Sequence, residues 1–225
     1  MKKILVALAI LTSSTFTNAQ SDSNYVEIGV NSIRLLQMGI GQTNASNSNW
    51  NPYLLTLEGH YKRLGVRVGL GMTNFSQTEL PGDANGKVET NIDTTSSDIR
   101  VGLNWEFALH KKWTFKLGVD YFTAKRLNRL STEFVNENGL KVTNSMEMEY
   151  TENGVSPAFF FQYHITPRVS LGTELLVRIS GFTRIDSDIT TFSDSGSSNT
   201  ELIRLYDGTK RSIMMPTALF LTARF

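Results

Sequence analysis

Side-chain character alternates with a two-residue period along much of this chain, and residues 97–109 show it most clearly. The apolar side carries Ile99, Val101, Leu103, Trp105, Phe107 and Leu109, and the other side carries Arg100, Gly102, Asn104, Glu106 and Ala108. A two-residue period is that of a β-strand with two unlike faces. A strand of this kind fits the wall of a barrel that has lipid outside and a polar lumen inside.

The same period returns in seven further segments, so the sequence predicts eight strands. These are 25–31, 52–62, 65–75, 97–109, 113–124, 146–163, 168–182 and 212–225. Short connections at 63–64, 110–112 and 164–167 alternate with long polar ones at 32–51, 76–96, 125–145 and 183–211. We therefore expect an all-β, up-and-down antiparallel transmembrane barrel with tight turns at one end and long loops at the other.

Two Gly-containing pairs modify this scheme. Asp207-Gly208 predicts a tight hairpin over 205–210. The preceding segment 201–206 is short compared with the roughly 9 to 11 residues of a membrane strand, so ten strands are the lesser alternative. Asn138-Gly139, between 133–135 and 140–143, predicts that strands five and six continue past the membrane as a projecting hairpin.

The N-terminus has the pattern of a signal peptide. Lys2 and Lys3 precede an apolar run over 4–11, and Thr17-Asn18-Ala19 suits cleavage. We expect residues 1–19 to be removed on export and 20–225 to form one barrel domain. Since no segment approaches the roughly 20 apolar residues of a membrane helix, strands must do the spanning.

Composition excludes several classes. The chain has no cysteine, which rules out disulfides, thiolate metal sites and a lipid-bearing cysteine. The net charge is +1 and no basic block is present, so we expect no nucleic-acid partner.

Alternation alone also fits a soluble barrel of the lipocalin sort, whose apolar face points inward. Small residues decide between the two, because a narrow eight-stranded interior needs them on the polar face. That face carries Gly29, Gly69, Gly71, Gly102, Gly118 and Gly172. Aromatic residues near strand ends predict the girdles of a membrane wall: Tyr61, Trp105, Trp113, Tyr163 and Phe225 at the turn end, and Tyr53, Tyr121 and Trp50 at the loop end.

The last strand carries a more particular pattern. Its apolar face holds Ile213, Met215, Thr217, Leu219, Leu221, Ala223 and Phe225. In this strand and in its overall plan the chain resembles small bacterial outer-membrane barrels of the OmpX and OmpA transmembrane-domain type, in the outer membrane protein beta-barrel domain group. Ala223 departs from that pattern, where a larger apolar residue is usual.

The resemblance implies a bacterial outer-membrane location, contact with outer-membrane lipid, and recognition of Phe225 by the barrel-assembly machinery. We expect a lone barrel without a peptidoglycan-binding domain, and a monomer.

Continued inward, the alternation predicts an ion-paired lumen. The acids are Glu27, Glu58, Glu106, Asp120 and Glu174, and the bases are Arg67, Arg100, Lys116, Arg178 and Arg224. Because unpaired buried charges are costly, we expect these side chains to form a network that plugs the barrel.

Catalytic and metal chemistry find little support. We expect His60, His110 and His164 to be turn or rim residues, without the nucleophile and orienting carboxylate of a hydrolase. The carboxylates Asp83, Asp93, Asp98, Asp186, Asp188 and Asp194 lack calcium-loop spacing and are expected to be solvated loop residues. The sequence therefore predicts no catalytic residue, no metal and no cofactor.

The favoured function is structural or surface-interacting, with a protein or surface ligand contacting the external loops and the 138–139 hairpin offering exposed strand edges. Two alternatives stay open. One is a small-solute pore of porin type, and the other is a lipid-modifying outer-membrane enzyme.

Overall fold

The computed structural model describes residues 24–39, 51–79, 89–135, 141–192, 200–214 and 218–225. They form nine strands and one helix: β1 (Tyr25–Asn31), α1 (Ser32–Gly39), β2 (Leu55–Tyr61), β3 (Leu64–Glu79), β4 (Glu89–His110), β5 (Trp113–Val135), β6 (Lys141–His164), β7 (Val169–Phe192), β8 (Thr200–Met214) and β9 (Phe220–Arg224). None of the helical residues in these ranges belongs to a helix long and apolar enough to cross a membrane.

The strands close into a ring. Neighbours from β1 to β7 pair antiparallel in chain order, and β9 pairs with both β7 and β1. β8 and β9 lie on the same edge of β7, β8 along residues 176–190 and β9 along residues 169–172. They are two halves of one barrel position, so the ring has eight positions and the predicted antiparallel barrel is confirmed.

The last barrel position differs from its prediction as one continuous strand over 212–225. Residues 212–214 belong to β8, and β9 begins only at Phe220. Ala218 and Leu219 precede β9 outside any strand, and residues 215–217, which include Met215 and Thr217 of the predicted apolar face, lie outside the described residues.

The predicted hairpin over 205–210 is wrong. Asp207 and Gly208 lie inside β8, opposite Thr183 and Phe182 of β7. A Cβ added at Gly208 would lie 3.0 Å from the Phe182 ring, so the glycine makes room for an aromatic side chain and does not form a turn.

The strands are longer at the loop end than predicted. β4 to β7 contain 22 to 24 residues, about twice the length that a membrane strand requires. Most of the segments predicted as loops at 76–96, 125–145 and 183–211 are paired strand. The projecting β5–β6 hairpin is confirmed, with Phe134 opposite Val142, while its predicted turn at 138–139 lies outside the described residues. We call the side with the tight connections the turn end, and the other side the projecting end.

Glycines on the inner face set the room available in the lumen. A Cβ at Gly69 would collide with the Arg100 side chain, and a Cβ at Gly102 would collide with the Asp120 carboxylate and with the Val119 carbonyl oxygen. Neighbouring strands thus leave space for two large charged side chains because they carry no side chain themselves.

We predict that Gly102→Ala destabilises the folded barrel by about 1 to 3 kcal/mol, because overpacking forces side chains and backbone to shift. The matched control is Gly59→Ala, since nothing lies within 4 Å of a Cβ added at Gly59. Urea unfolding in detergent micelles measures both. Equal stability of the two variants would contradict the tight lumen.

Candidate functional site

Two arginines and two carboxylates meet in the middle of the lumen. Arg67 donates to both carboxylate oxygens of Asp120, at 2.6 and 2.5 Å. Glu174 Oε1 accepts from Arg67 at 3.1 Å and from Arg100 at 2.5 Å. All four side chains are at most 1% exposed. The two charges of each sign cancel, so this central cluster is formally neutral.

Four lumen arginines also lie against aromatic rings, among them Arg224, whose guanidinium carbon is 3.7 Å from the Tyr25 ring centroid. A guanidinium over a ring face gains from the ring quadrupole while its edge remains free for hydrogen bonds. The guanidinium carbon lies 4.0 Å from the ring centroid in Arg67–Phe160 and Arg100–Tyr53, and 4.1 Å in Arg178–Phe122. The lumen is therefore packed by ring–guanidinium layers as well as by ion pairs.

A segment that precedes β2 enters the lumen from the projecting end. Asn51 donates to Glu174 Oε2 at 2.7 Å, and the hydroxyl of Tyr53 accepts from Arg178 at 3.0 Å. Tyr53 is 1% exposed. The prediction of Tyr53 as part of an outer girdle is therefore wrong, because the strand alternation begins only at Leu55 and does not govern the residues before it. Trp50 lies outside the described residues.

A second cluster fills the turn end. Lys116 Nζ lies 3.0 Å from Glu27 Oε2 and 3.1 Å from Glu58 Oε1. Arg224 Nη2 lies 3.7 Å from carboxylate oxygens of Glu27 and Glu106. Three carboxylates thus face Lys116 and Arg224. Counted without the histidine that lies among them, these five side chains carry one formal negative charge.

That histidine is His60, and its expected place at the rim is wrong. Its side chain is fully buried, with Nε2 against Glu58 and Nδ1 3.9 Å from Glu106 Oε2. The Tyr25 ring stacks on the imidazole at 4.2 Å and donates its hydroxyl hydrogen to Glu106. His60 follows Glu58 by two residues, so the alternation itself places it in the lumen.

The other two histidines lie at the turn end. His164 is half-buried, and its ring nitrogens lie 2.7 Å from the hydroxyl oxygens of Thr114 and Ser170. His110 is the last residue of β4, and its side chain lies outside the described part of the structure.

Glu27, Glu58 and His60 bring three potential metal-ligand atoms within 4.8 Å of one another. Lys116 Nζ already contacts both carboxylates. Its ammonium supplies the positive charge that these oxygens need, so the geometry is explained without a metal ion.

The structure places every predicted network residue inside the barrel: Glu27, Glu58, Arg67, Arg100, Glu106, Lys116, Asp120, Glu174, Arg178 and Arg224. Phe225 lies at the turn end, 61% exposed, where its backbone exchanges two hydrogen bonds with Val26, at 2.8 and 3.1 Å.

Two carboxylates expected in solvated loops are buried. Asp98 lies 3.2 Å from Arg178 in the lumen, and Asp186 accepts two bonds of 2.7 Å from Arg184. Asp186 follows the inward alternation of a strand that is longer than predicted, which explains that error. Asp98 already lies on the inward face of the predicted strand 97–109, so the alternation itself should have placed it in the lumen. Asp93 is exposed on β4, Asp188 is half-buried on β7, and Asp83 and Asp194 lie outside the described ranges.

The space between two of these clusters is small. A cavity of about 20 Å³ lies between the turn-end and central clusters, lined by Glu58, Arg100, Gln162, Gly172 and Phe220 among others. This is about the room that one water molecule requires.

Comparison with solved structures finds a structural neighbour, whereas the two sequence comparisons find no match. No family model matches the chain, and no curated protein matches it. Among solved structures, the chain is similar to a major outer membrane protein from Thermus thermophilus, with a TM-score of 0.29 and 16% identity, over 90% of this chain and 98% of that one. The assignment of this chain to the membrane β-barrels rests on its closed strand ladder, apolar exterior and charged lumen.

We predict that Glu174→Gln lowers the free energy of unfolding by about 3 kcal/mol, because it leaves Arg67 and Arg100 to share a single carboxylate in a buried place. Glu149→Gln is the control, since Glu149 is exposed on the same barrel. Urea titration of the folded proteins in micelles compares them. A loss of similar size in both variants would show that the central cluster is not under this constraint.

Proposed function

We propose that this chain is a non-enzymatic barrel of the bacterial outer membrane that is closed to solutes and contacts partners through its projecting end. The observation that carries the proposal is the inversion of its two faces. Leu103 and Leu117 are 54% and 42% exposed on the outside, whereas Arg100 and Glu174 are 1% and 0% exposed inside. Hydrocarbon around the wall accounts for both.

The length of the strands supports an orientation. Tight turns suit the periplasmic side and long elements suit the outer side of such barrels. We infer that the chain is exported through cleavage after residue 19, that the barrel-assembly machinery recognises its last strand through Phe225, and that the barrel is a monomer in outer-membrane lipid.

The packed lumen argues against the pore alternative. Eight strands leave an interior just wide enough for side chains, and here ion pairs, aromatic rings and the inserted Asn51–Tyr53 segment occupy it. Steady open-channel currents in planar bilayers would favour transport instead.

The enzyme alternative is supported by one observation, the 2.7 Å contact between His164 Nδ1 and Ser170 Oγ. The described residues offer this pair no carboxylate within hydrogen-bond distance, and Ser170 is 3% exposed. A hydrolytic site needs an accessible nucleophile and an oriented base. We therefore favour a role without catalysis, and an unchanged mass of outer-membrane lipid in expressing cells would agree with it.

The projecting strands form a sheet with two edges. Past the ring, β3 continues in pairing with β4, and β8 pairs with β7, while β1 and β2 end earlier. Among the described residues, 201–209 of β8 pair on one side alone and are exposed.

The β5–β6 hairpin does not offer the strand edge that its sequence predicted. β5 pairs with β4 up to Glu133, and β6 pairs with β7 up to Phe192. Both strands of the hairpin are therefore inner strands of the projecting sheet. Among the described strands, the edges that remain for strand addition are β8 and β3, and β8 exposes Ile203 and Leu205 at 62% and 69%.

The lipid-facing wall predicts a labelling pattern in single-cysteine variants, which start from a chain without cysteine. We expect Leu103→Cys and Leu117→Cys to resist a water-soluble maleimide in intact membranes, because the hydrocarbon shields them. Arg129→Cys is the control, since the Arg129 side chain is 60% exposed on the projecting part of β5. Rapid labelling of Leu117→Cys would exclude the membrane wall.

Partner binding at the sheet edge predicts position-dependent cross-linking on intact cells. A photo-activated residue placed at Ile203 of β8 should cross-link to a neighbouring polypeptide. The same residue at Arg129 should not, because Arg129 lies on β5, which is paired with a strand on each side. Mass spectrometry of the adducts identifies the neighbour. Equal yields at both positions, or none at Ile203, would contradict strand addition at β8.

A further inference from the structure

Three basic side chains converge at the rim of the projecting end without an acidic partner: Arg34, Arg126 and Lys210. No carboxylate oxygen of the described residues lies within ion-pair distance of them. Arg34 Nη1 donates to Thr73 Oγ1 at 3.1 Å, but its Nε is buried without any hydrogen-bond partner. We call these three residues, with their hydroxyl neighbours described below, the rim site.

Strand pairing places hydroxyl groups between the cations. Thr73, Ser96, Arg126 and Tyr150 are direct cross-strand neighbours on β3, β4, β5 and β6. Side chains paired in this way lie about 5 Å apart. Lys210 reaches the same place from β8, with Nζ 5.8 Å from the Tyr150 ring centroid. These strands and α1 thus direct hydrogen-bond donors toward one place.

The carboxylates beneath the rim site are already engaged. Asp98 pairs with Arg178 at 3.2 Å. Glu152 accepts from Ser180 at 2.6 Å and from Tyr150 at 3.1 Å.

With Arg178 included, four cations face these two carboxylates, and two formal positive charges remain. The charges also affect one another, because burial lowers the pKa of Arg34 and the neighbouring Arg126 lowers it further, against the opposing effect of Asp98.

Burial and Glu152 raise the pKa of Tyr150 to about 12. Tyr150 therefore keeps its hydroxyl hydrogen near neutral pH and adds no negative charge to the rim site.

We propose that the rim site binds a phosphate group. A phosphate monoester carries a charge of about −1.5 to −2 near neutral pH, which matches the unbalanced charge of the rim. Guanidinium groups suit its oxygens in geometry as well as charge, and the hydroxyls of Ser96 and Thr73 can donate to the remaining ones. The three cations are half-buried, so they are reached by a ligand and partly shielded from water.

Two kinds of ligand carry such a phosphate group, a soluble phosphate compound and a lipid with a phosphorylated headgroup. The rim site faces the space above the lumen and not the outer wall. Both sources present the same group to the same residues, and separate probes distinguish them. The inference goes beyond the proposed contact with partners, which uses the edge of β8 and would stand if no phosphate bound at the rim site.

The test titrates the full-length folded protein in detergent micelles with inorganic phosphate by calorimetry. Arg126→Gln and Lys210→Gln should each weaken binding about tenfold or more, the effect of losing one charge-assisted hydrogen bond. Arg129→Gln is the matched control, because Arg129 lies three residues further along the same strand, on the outer face, paired with Glu147 at 2.8 Å.

A parallel titration uses mixed micelles that contain phosphatidic acid. Binding of phosphatidic acid alone, lost in Arg126→Gln, would assign the site to a lipid headgroup, and binding of inorganic phosphate would assign it to a soluble ligand. The proposal is overturned if neither probe binds, or if Arg129→Gln weakens binding as much as Arg126→Gln does. The difference in electrophoretic mobility between heated and unheated samples verifies that each variant is folded. If Arg126→Gln does not fold, Lys210→Gln replaces it in both titrations.

Discussion

The narrowness of an eight-position barrel is the constraint on which the rest of this structure depends. The interior has room for side chains but not for bulk water, so each charge placed there needs an opposite charge within contact distance. Glu174 meets Arg67, Arg100 and Asn51 at once. The glycines opposite the large side chains belong to the same solution, because they supply the volume that the ion pairs occupy.

The ring is closed at the turn end and open at the projecting end because the first is surrounded by hydrocarbon and the second by water. In hydrocarbon an unpaired backbone group costs several kcal/mol, so every strand needs a neighbour on both sides there. Beyond the hydrocarbon, water satisfies an open edge. β1 ends at Asn31, whose side chain accepts from the Arg34 backbone N–H at 3.2 Å and caps α1. Beyond the end of β1, β8 continues in pairing with β7 alone. The closed ring therefore becomes an open sheet at the projecting end.

Much of this fold follows from the alternation in the sequence. β1 is predicted residue for residue, and the other strands near the turn end within a few residues, because one face must meet lipid and the other the lumen. The outer parts of β3 to β8 are predicted as loops, from a few residues in β3 and β6 to most of β8, since in water neither face of a strand has to be apolar and the signal fades. Alternation also places Arg100, Asp120 and Glu174 in the lumen. The alternation cannot place Asn51 and Tyr53, which precede the first residue of β2. It does place His60 in the lumen, two residues after Glu58, and the error arises because all three histidines are assigned together to turns or the rim.

Charge is ordered along the barrel axis. Counted without His60, the turn-end cluster has one formal negative charge, the central cluster is neutral, and the rim has two positive charges beyond its carboxylates. In a low-dielectric surround, such separated layers act over longer distances than they would in water. An anion that approaches from the projecting end is drawn to Arg34, Arg126 and Lys210. Below the rim lies the central cluster, which is formally neutral and is packed against the Tyr53 ring through Arg100. The same arrangement that would hold a phosphate at the mouth therefore opposes its passage through the barrel.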